Sequence, residues 1–130
     1  MSVDSIGNFL TIIRNGTTSS KALVVAPFSK INLNIAEILK SEGFIKDVTV
    51  QDEDGKKFLT VTLKYVDGES VIHEITRVST PGRRVYEGLN TIKPVIGNLG
   101  VAILTTNRGV ITNKMARKLG VGGEVICTIW

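Results

Sequence analysis

At Gly43 the hydrophobic pattern of this chain changes period, and that change limits the fold more than any other feature. Before it, apolar residues recur at helical spacing. Ile6, Phe9, Leu10 and Ile13 stand at i, i+3, i+4 and i+7. That spacing predicts a first helix over residues 4–15, with Gly16 as a left-handed stop. Residues 16–21 read as a loop of hydroxyl side chains. Residues 22–26, Ala-Leu-Val-Val-Ala, are short, apolar and β-branched, and Pro27 ends them, so they predict a buried strand. Ser29 is placed to cap a second helix with Ile31, Ile35, Ile38 and Leu39 as its inner stripe, and Gly43 terminates it.

Beyond Gly43 the period is two. Residues 44–51 and 57–65 read as strands joined by an acidic turn ending in Asp54-Gly55, a strong hairpin signal. Leu59, Val61, Leu63 and Tyr65 fall on one face. A second Asp-Gly, Asp67-Gly68, leads into a strand over 70–78. The first part is thus an α-β-α-β-β layer of two helices on a sheet. After residue 78 the character changes again. Thr80-Pro81-Gly82 is a sharp turn, with Gly82 supplying positive φ. Residues 83–86, 101–105 and 124–130 read as strands. Residues 106–109 form a loop, and a short helix over 112–119 is capped by Thr112 and closed by Gly120. Gly82, Gly88, Gly97, Gly100, Gly109 and Gly120 punctuate this part, with Gly122 and Gly123 before the last strand. The expected class is α+β, in two small subdomains: an N-terminal layer over 1–78 and a strand-rich part with one short helix over 79–130.

The chain's 130 residues bury roughly two-thirds of their unfolded surface in a fold of this size. With 42% apolar and 22% charged residues and only 3 Pro, it is not a disordered tail. No apolar run approaches membrane-spanning length. The N-terminal segment carries an acid and no basic region, unlike a signal peptide. One Cys excludes an internal disulfide, and one Cys with one His argues against a Cys/His zinc site. No metal or cofactor is expected, and a reducing compartment is the default.

The net charge of +4 hides an asymmetry. Residues 1–76 sum to −2 and residues 77–130 to +6, and five of the six Arg lie in the second part. Clustered Arg and Lys suit a polyanion, because they release counterions from phosphates. A solvated basic face is the other reading.

Several motifs invite chemistry. Gly120-Val121-Gly122-Gly123 resembles a phosphate loop, but it closes a helix and precedes a strand, the reverse of a dinucleotide fingerprint. Val125, Cys127 and Ile129 alternate onto one face, so Cys127 reads as a small core residue. His73 faces as Val71 and Ile75 do and has no evident catalytic partner. Thr105-Thr106-Asn107-Arg108-Gly109 differs from these. Three hydrogen-bonding side chains leave a buried strand, then Arg and Gly follow. Such groups reach phosphates, ribose hydroxyls and base edges, and they also make ordinary polar turns. Glu124 is one of two acids in the basic part. It suits an ion pair with a nearby cation, or acceptance of a hydrogen bond from an exocyclic base amine. Tyr86, beside Arg83 and Arg84, suits stacking on a base, or core packing.

Three ordered motifs carry a resemblance. They are Ser-Thr-Pro-Gly-Arg-Arg-Val-Tyr at 79–86, Leu-Gly-Val-Ala-Ile-Leu-Thr-Thr-Asn-Arg-Gly-Val at 99–110, and Gly-Val-Gly-Gly-Glu-Val-Ile-Cys-Thr-Ile-Trp at 120–130. Together with Asp4-Ser5-Ile6, Thr11, Ile13-Arg14-Asn15 and residues 38–45, the chain closely resembles the bacterial-type small-subunit ribosomal protein family numbered eight. The resemblance spans essentially the whole chain. It implies a two-part α+β protein that binds the central domain of small-subunit rRNA early and helps organise the subunit platform. In many bacteria it also implies repression of the protein's own operon through a similar messenger RNA structure. The family's contact loop is usually Ser-Thr-Ser-x-Gly. Here Thr105 and Asn107 replace the serines. Thr80 replaces a usual Lys, and Lys114 and Met115 make the short helix more basic. Gly7 and Ile12 also depart from the common first helix. These departures suggest a divergent bacterial lineage or an organelle.

The resemblance assigns Thr105, Thr106 and Asn107 to hydrogen bonding at an RNA internal loop, with Glu124 as acceptor and Tyr86 supporting the surface. Arg83, Arg84, Arg108, Lys114, Arg117 and Lys118 are candidate phosphate contacts. Arg14, Asn15 and Lys30 are expected to meet other rRNA segments or neighbouring small-subunit proteins. The chain is expected to be non-enzymatic, monomeric outside the ribosome, without a membrane partner, and located with ribosomes in the cytoplasm or an organelle. Two rivals remain at this point: a DNA-binding nucleoid module on the same basic surface, although no helix pair has helix-turn-helix spacing, and a small enzyme built on Cys127 and His73.

Overall fold

The computed structural model describes residues 4–88 and 100–130. Lys93, one of the cations that make residues 77–130 basic, Gly97 of the glycine set, Leu99 of the second motif and residues 1–3 lie outside the described residues. Among the described residues the protein is mixed α+β, with three helices and antiparallel sheets. It divides into two compact units, one over Ser5–His73 and one formed by Asp4 with Glu74–Trp130.

In the first unit, helix α1 (Ser5–Thr18) buries Phe9, Leu10, Ile13 and Gly16. Gly16 is not the expected stop. A Cβ there would sit 2.5 Å from Val24 Cγ1 and 3.0 Å from Leu63 Cδ1, so the missing side chain lets the helix lie close on the sheet. The helix runs two residues further, and the left-handed residue after it is Ser20 (φ 55°).

Strand β1 (Leu23–Pro27) is not wholly buried as expected. It is an edge strand that alternates, with Val24 and Ala26 inside and Leu23 (49%) and Val25 (53%) exposed. Helix α2 (Lys30–Ser41) starts as its sequence dictates, because the Ser29 hydroxyl accepts from Asn32 N at 3.1 Å. Its buried face is Asn32, Ile35, Ala36 and Leu39, while Ile31 and Ile38 are half-buried. Gly43 (φ 84°) ends it, and Phe44 N donates to Leu39 O at 2.8 Å.

Strands β2 (Ile45–Glu53) and β3 (Lys56–Leu63) form the hairpin, with positive φ at both Asp54 and Gly55. The sheet order is β1-β3-β2, and Leu59, Val61 and Leu63 are buried. Tyr65 leaves that row. It opens a small hairpin of β4 (Tyr65–Val66) and β5 (Glu69–Ser70) around Asp67-Gly68, and its hydroxyl donates to Lys21 O at 2.7 Å.

The second unit contains β6 (Ile75–Arg77), β7 (Tyr86–Glu87), β8 (Val101–Thr106), β9 (Gly109–Thr112), helix α3 (Asn113–Leu119) and β10 (Gly123–Ile129). β10 is central, pairing with β6 and β7 on one side and β8 on the other. The strand expected over 70–78 is therefore only Ile75–Arg77, and its ladder belongs to this sheet. The strand expected over 83–86 is Tyr86–Glu87. β9 was not expected at all. Gly82 does not take positive φ, and Thr80 and Arg83 close their turn with two backbone bonds of 2.9 and 3.1 Å.

Helix α3 has both expected ends. Thr112 accepts from Met115 N at 3.1 Å, and Gly120 is left-handed (φ 71°). Asn113 is buried and accepts from Ala102 N at 3.1 Å, which fixes the helix start to β8. The core between helix and sheet is Ala102, Leu104, Ala116 and Val125, with Val78, Ile111 and Val121 packed against it.

A bulge in β10 corrects one further expectation. Val125 pairs with Leu104, yet Cys127 pairs with Ile103, so Ile126 is the extra residue. Val125 thus turns to the α3 side, opposite Cys127 and Ile129. Arg77 Nη1 donates to Ile126 O at 2.9 Å while its Nη2 lies 3.2 Å from Asp4 Oδ1. This Arg of the basic set serves the bulge.

Candidate nucleic-acid interface

At the hairpin end of the C-terminal sheet, one row crosses four strands. Glu124 pairs with Tyr86 on one side and Thr105 on the other, and Thr105 pairs with Val110. Residues directly opposite in antiparallel ladders share a face, so these four side chains stand on one side of the sheet. Tyr86 is 69% exposed, which rules out core packing for its ring. Beside it, Arg84 Nη1 donates to Glu124 Oε2 at 3.0 Å. The hydrogen bond and the charge of Glu124 raise the Arg84 pKa above its already high ordinary value, so this guanidinium stays charged. The Glu124 side chain is 17% exposed against 50% for Arg84: the acid anchors from below and the cation reaches out.

The tip of β8–β9 is built by Thr106. Its hydroxyl donates to Gly109 O at 3.0 Å and accepts from Arg108 N at 3.0 Å. Its single proton is committed to the turn, and Gly109 (φ 100°) completes it. Asn107 and Arg108 are left exposed at the apex. Behind them, Gly122 and Gly123 permit close approach of three strands. A Cβ on Gly122 would lie 2.5 Å from Glu87 O, and one on Gly123 would overlap Thr105 O. The glycine cluster is therefore a packing device as well as a helix stop.

The remaining basic residues divide. Arg83 is exposed on the turn at 80–83. That turn is pinned by Ser79, which sequence reasoning passed over. It is fully buried, its hydroxyl donates to Val85 O at 3.1 Å and it accepts from Val85 N at 2.8 Å. Lys114, Arg117 and Lys118 are exposed on α3, which packs on the Leu104 side of the sheet, so they flank the tip opposite the Tyr86 row. Arg14, Asn15 and Lys30 are exposed in the first unit, on α1 and at the start of α2.

Cys127 is fully buried, and desolvation pushes its thiol up to about 12. A thiol so placed carries no nucleophilic thiolate near neutral pH. His73 is exposed and lies outside any strand, so it does not face as Ile75 does. Among the described residues no group of three or more His, Cys, Asp or Glu could hold a metal, and no helix is long and apolar enough to cross a membrane. Iodoacetamide is expected to leave Cys127 unlabelled in the folded chain at pH 7.5 and to label it on denaturation. Labelling at equal rates would contradict the burial. Because the unfolded thiol ionises near 9 and the folded one near 12, stability present below pH 9 declines as pH rises through that window.

Fold and surface define a class: a small α+β protein of two units, whose C-terminal unit presents an exposed aromatic ring and an anchored cation at one end of its sheet. The family model for ribosomal protein S8 matches residues 4–130. The chain is 51% identical over 126 residues to small ribosomal subunit protein uS8 of Acidovorax sp. (strain JS42), covering 97% of this chain and 96% of that one. It is 49% identical over 127 residues to the uS8 protein of Marinobacter nauticus, covering 98% and 97%. With the uS8 protein of Nitrosospira multiformis it shares 48% over 126 residues, covering 97% and 96%. The chain belongs to the ribosomal protein S8 family.

Proposed function

We propose that this chain is a non-enzymatic structural constituent of the small ribosomal subunit, holding the central domain of its rRNA through the tip end of the C-terminal unit. Relatives of about half identity over nearly the full length are small-subunit proteins, which supports a ribosome-bound protein that meets small-subunit rRNA and other ribosomal proteins. The observation that carries the finer reading is the Tyr86–Glu124–Thr105 row with Arg84 held beside it.

In this reading Tyr86 stacks on a base or ribose of an irregular RNA helix. Glu124 orients Arg84 and offers its remaining lone pairs to an amine or a 2′-hydroxyl. Thr105 and Asn107 hydrogen-bond the RNA internal loop, while Thr106 shapes the tip and accepts at most. Arg83, Arg84 and Arg108 meet phosphates on one flank, and Lys114, Arg117 and Lys118 on the other. Arg14, Asn15 and Lys30 meet further rRNA or neighbouring proteins. The same surface suits a similar structure in the chain's own operon messenger. The protein is a monomer outside the ribosome and resides with ribosomes in the cytoplasm or an organelle.

The test is a salt titration on a central-domain rRNA hairpin. If about five phosphates are neutralised, log affinity falls with log salt at a slope of roughly −3 to −4. Asn107→Ala is expected to weaken this hairpin more than an unrelated duplex, and Lys118→Ala to weaken both about equally. A flat salt response, or a preference for duplex DNA over the hairpin, would sink the reading.

A further inference from the structure

β3 occupies one side of β1, and among the described residues no strand occupies the other, outer edge. The ladder fixes which backbone groups that edge offers. Leu63 N donates to Ala22 O at 2.9 Å and Phe28 N donates to Lys57 O at 3.2 Å. In this antiparallel register the even-numbered residues therefore exchange bonds with β3. Leu23 and Val25 turn their N–H and C=O groups outward, and Pro27 turns out a carbonyl alone. Pro27 removes no ladder bond there, as edge strands allow. Alongside lies a groove of about 300 Å³, lined by Ile12, Asn15 and Gly16 of α1 and by Lys21, Leu23, Val24 and Val25.

These groups select their occupant. Donors and acceptors alternating at two-residue spacing are what another extended chain satisfies. A nucleic-acid backbone brings phosphate acceptors, which the outward carbonyls repel. Ile12 and Val24 make the wall apolar. Lys21 supplies a positive charge, and among the described residues no acid lines the groove. We propose that β1 and this groove receive an extended segment of a neighbouring protein, which adds as a fourth strand, sets an apolar side chain against Ile12 and Val24, and places a carboxylate near Lys21. The edge belongs to the unit over Ser5–His73, so the proposal stands apart from the RNA reading of the other unit.

The test uses the full chain, free and assembled into small subunits, with photoreactive benzoylphenylalanine replacing Leu23. The expected adduct is a peptide segment of another protein. In unsubstituted chain, amide exchange at Leu23 and Val25 should be fast when free and slowed at least about tenfold in subunits, whereas Val24 and Ala26 stay protected in both, as their ladder bonds require. Val25→Pro, which deletes one outward donor, and Lys21→Glu, which reverses the charge without touching the edge, should each cut adduct yield several-fold. An adduct on RNA or on a second copy, no adduct, or unchanged exchange at Leu23 and Val25 would overturn the proposal.

Discussion

Replacing Tyr86 with Ala is expected to weaken binding to a central-domain rRNA hairpin by about 5- to 150-fold, the equivalent of roughly 1–3 kcal/mol for one base stacked on an aromatic ring. The fold should not change. Tyr86 is 69% exposed, and β7 joins β10 through backbone pairing of Tyr86 with Glu124. Exposed substitutions of this kind shift stability by about 0.5 kcal/mol or less. Tyr86→Phe keeps the stacking face and should retain most of the affinity. Equilibrium binding at fixed salt, with a thermal melt as control, separates these outcomes. Wild-type affinity in Tyr86→Ala would remove the row from the RNA surface.

Gly123→Ala is expected to damage both folding and binding. The added methyl would overlap Thr105 O and meet Thr106 Cγ2 at 2.9 Å and Thr105 C at 3.0 Å. The first and last of these belong to the β8 backbone, which cannot yield without parting from β10. Overpacking of this kind costs about 1–3 kcal/mol, lowering the melting midpoint by roughly 4–15 °C. Even well below that midpoint, affinity for the hairpin should fall about tenfold or more, a change of about 1.4 kcal/mol, because Thr105 and Glu124 are the pair displaced. Gly82→Ala is the control. Nothing lies within 4 Å of a Cβ there and its φ is not positive, so it should melt within about 0.5 kcal/mol of wild type. Equal behaviour of the two variants would mean that close strand approach at Gly123 is not required.

What was legible in the sequence was local. The Ser29 and Thr112 caps, the Gly43 and Gly120 stops and the two Asp-Gly turns depend on residues a few positions apart, and each stands where its chemistry puts it. Gly16 misled because a glycine needed for close packing reads the same as one that ends a helix. The strand at Ile75–Arg77 lies against β10, about fifty residues downstream, and no hydrophobic period names a partner. The bulge at Ile126 reverses the facing of Val125 for the same reason: it exists only relative to β8. β9 had a signal in Gly109-Val110-Ile111-Thr112, a glycine then three β-branched residues, but the stretch is short and sits between a turn and a helix cap.

The candidate surface divides likewise. Its residue types were visible as motifs. The alignment of Tyr86, Glu124 and Thr105 depends on strand register across long sequence separations, and the placing of Lys114, Arg117 and Lys118 on the other flank depends on which sheet face α3 covers. The +6 of the C-terminal part is also not all free for a partner, since Arg77 is bound to Asp4 and the bulge.

The central claim is that the C-terminal tip holds one irregular segment of small-subunit rRNA. Hydroxyl-radical footprinting of that rRNA with the full chain tests it most directly. One compact protected segment in the central domain is predicted, lost when Tyr86→Ala and Asn107→Ala are combined at the same protein concentration. Protection scattered over the rRNA, or a central-domain footprint unchanged in the double variant, would contradict the account.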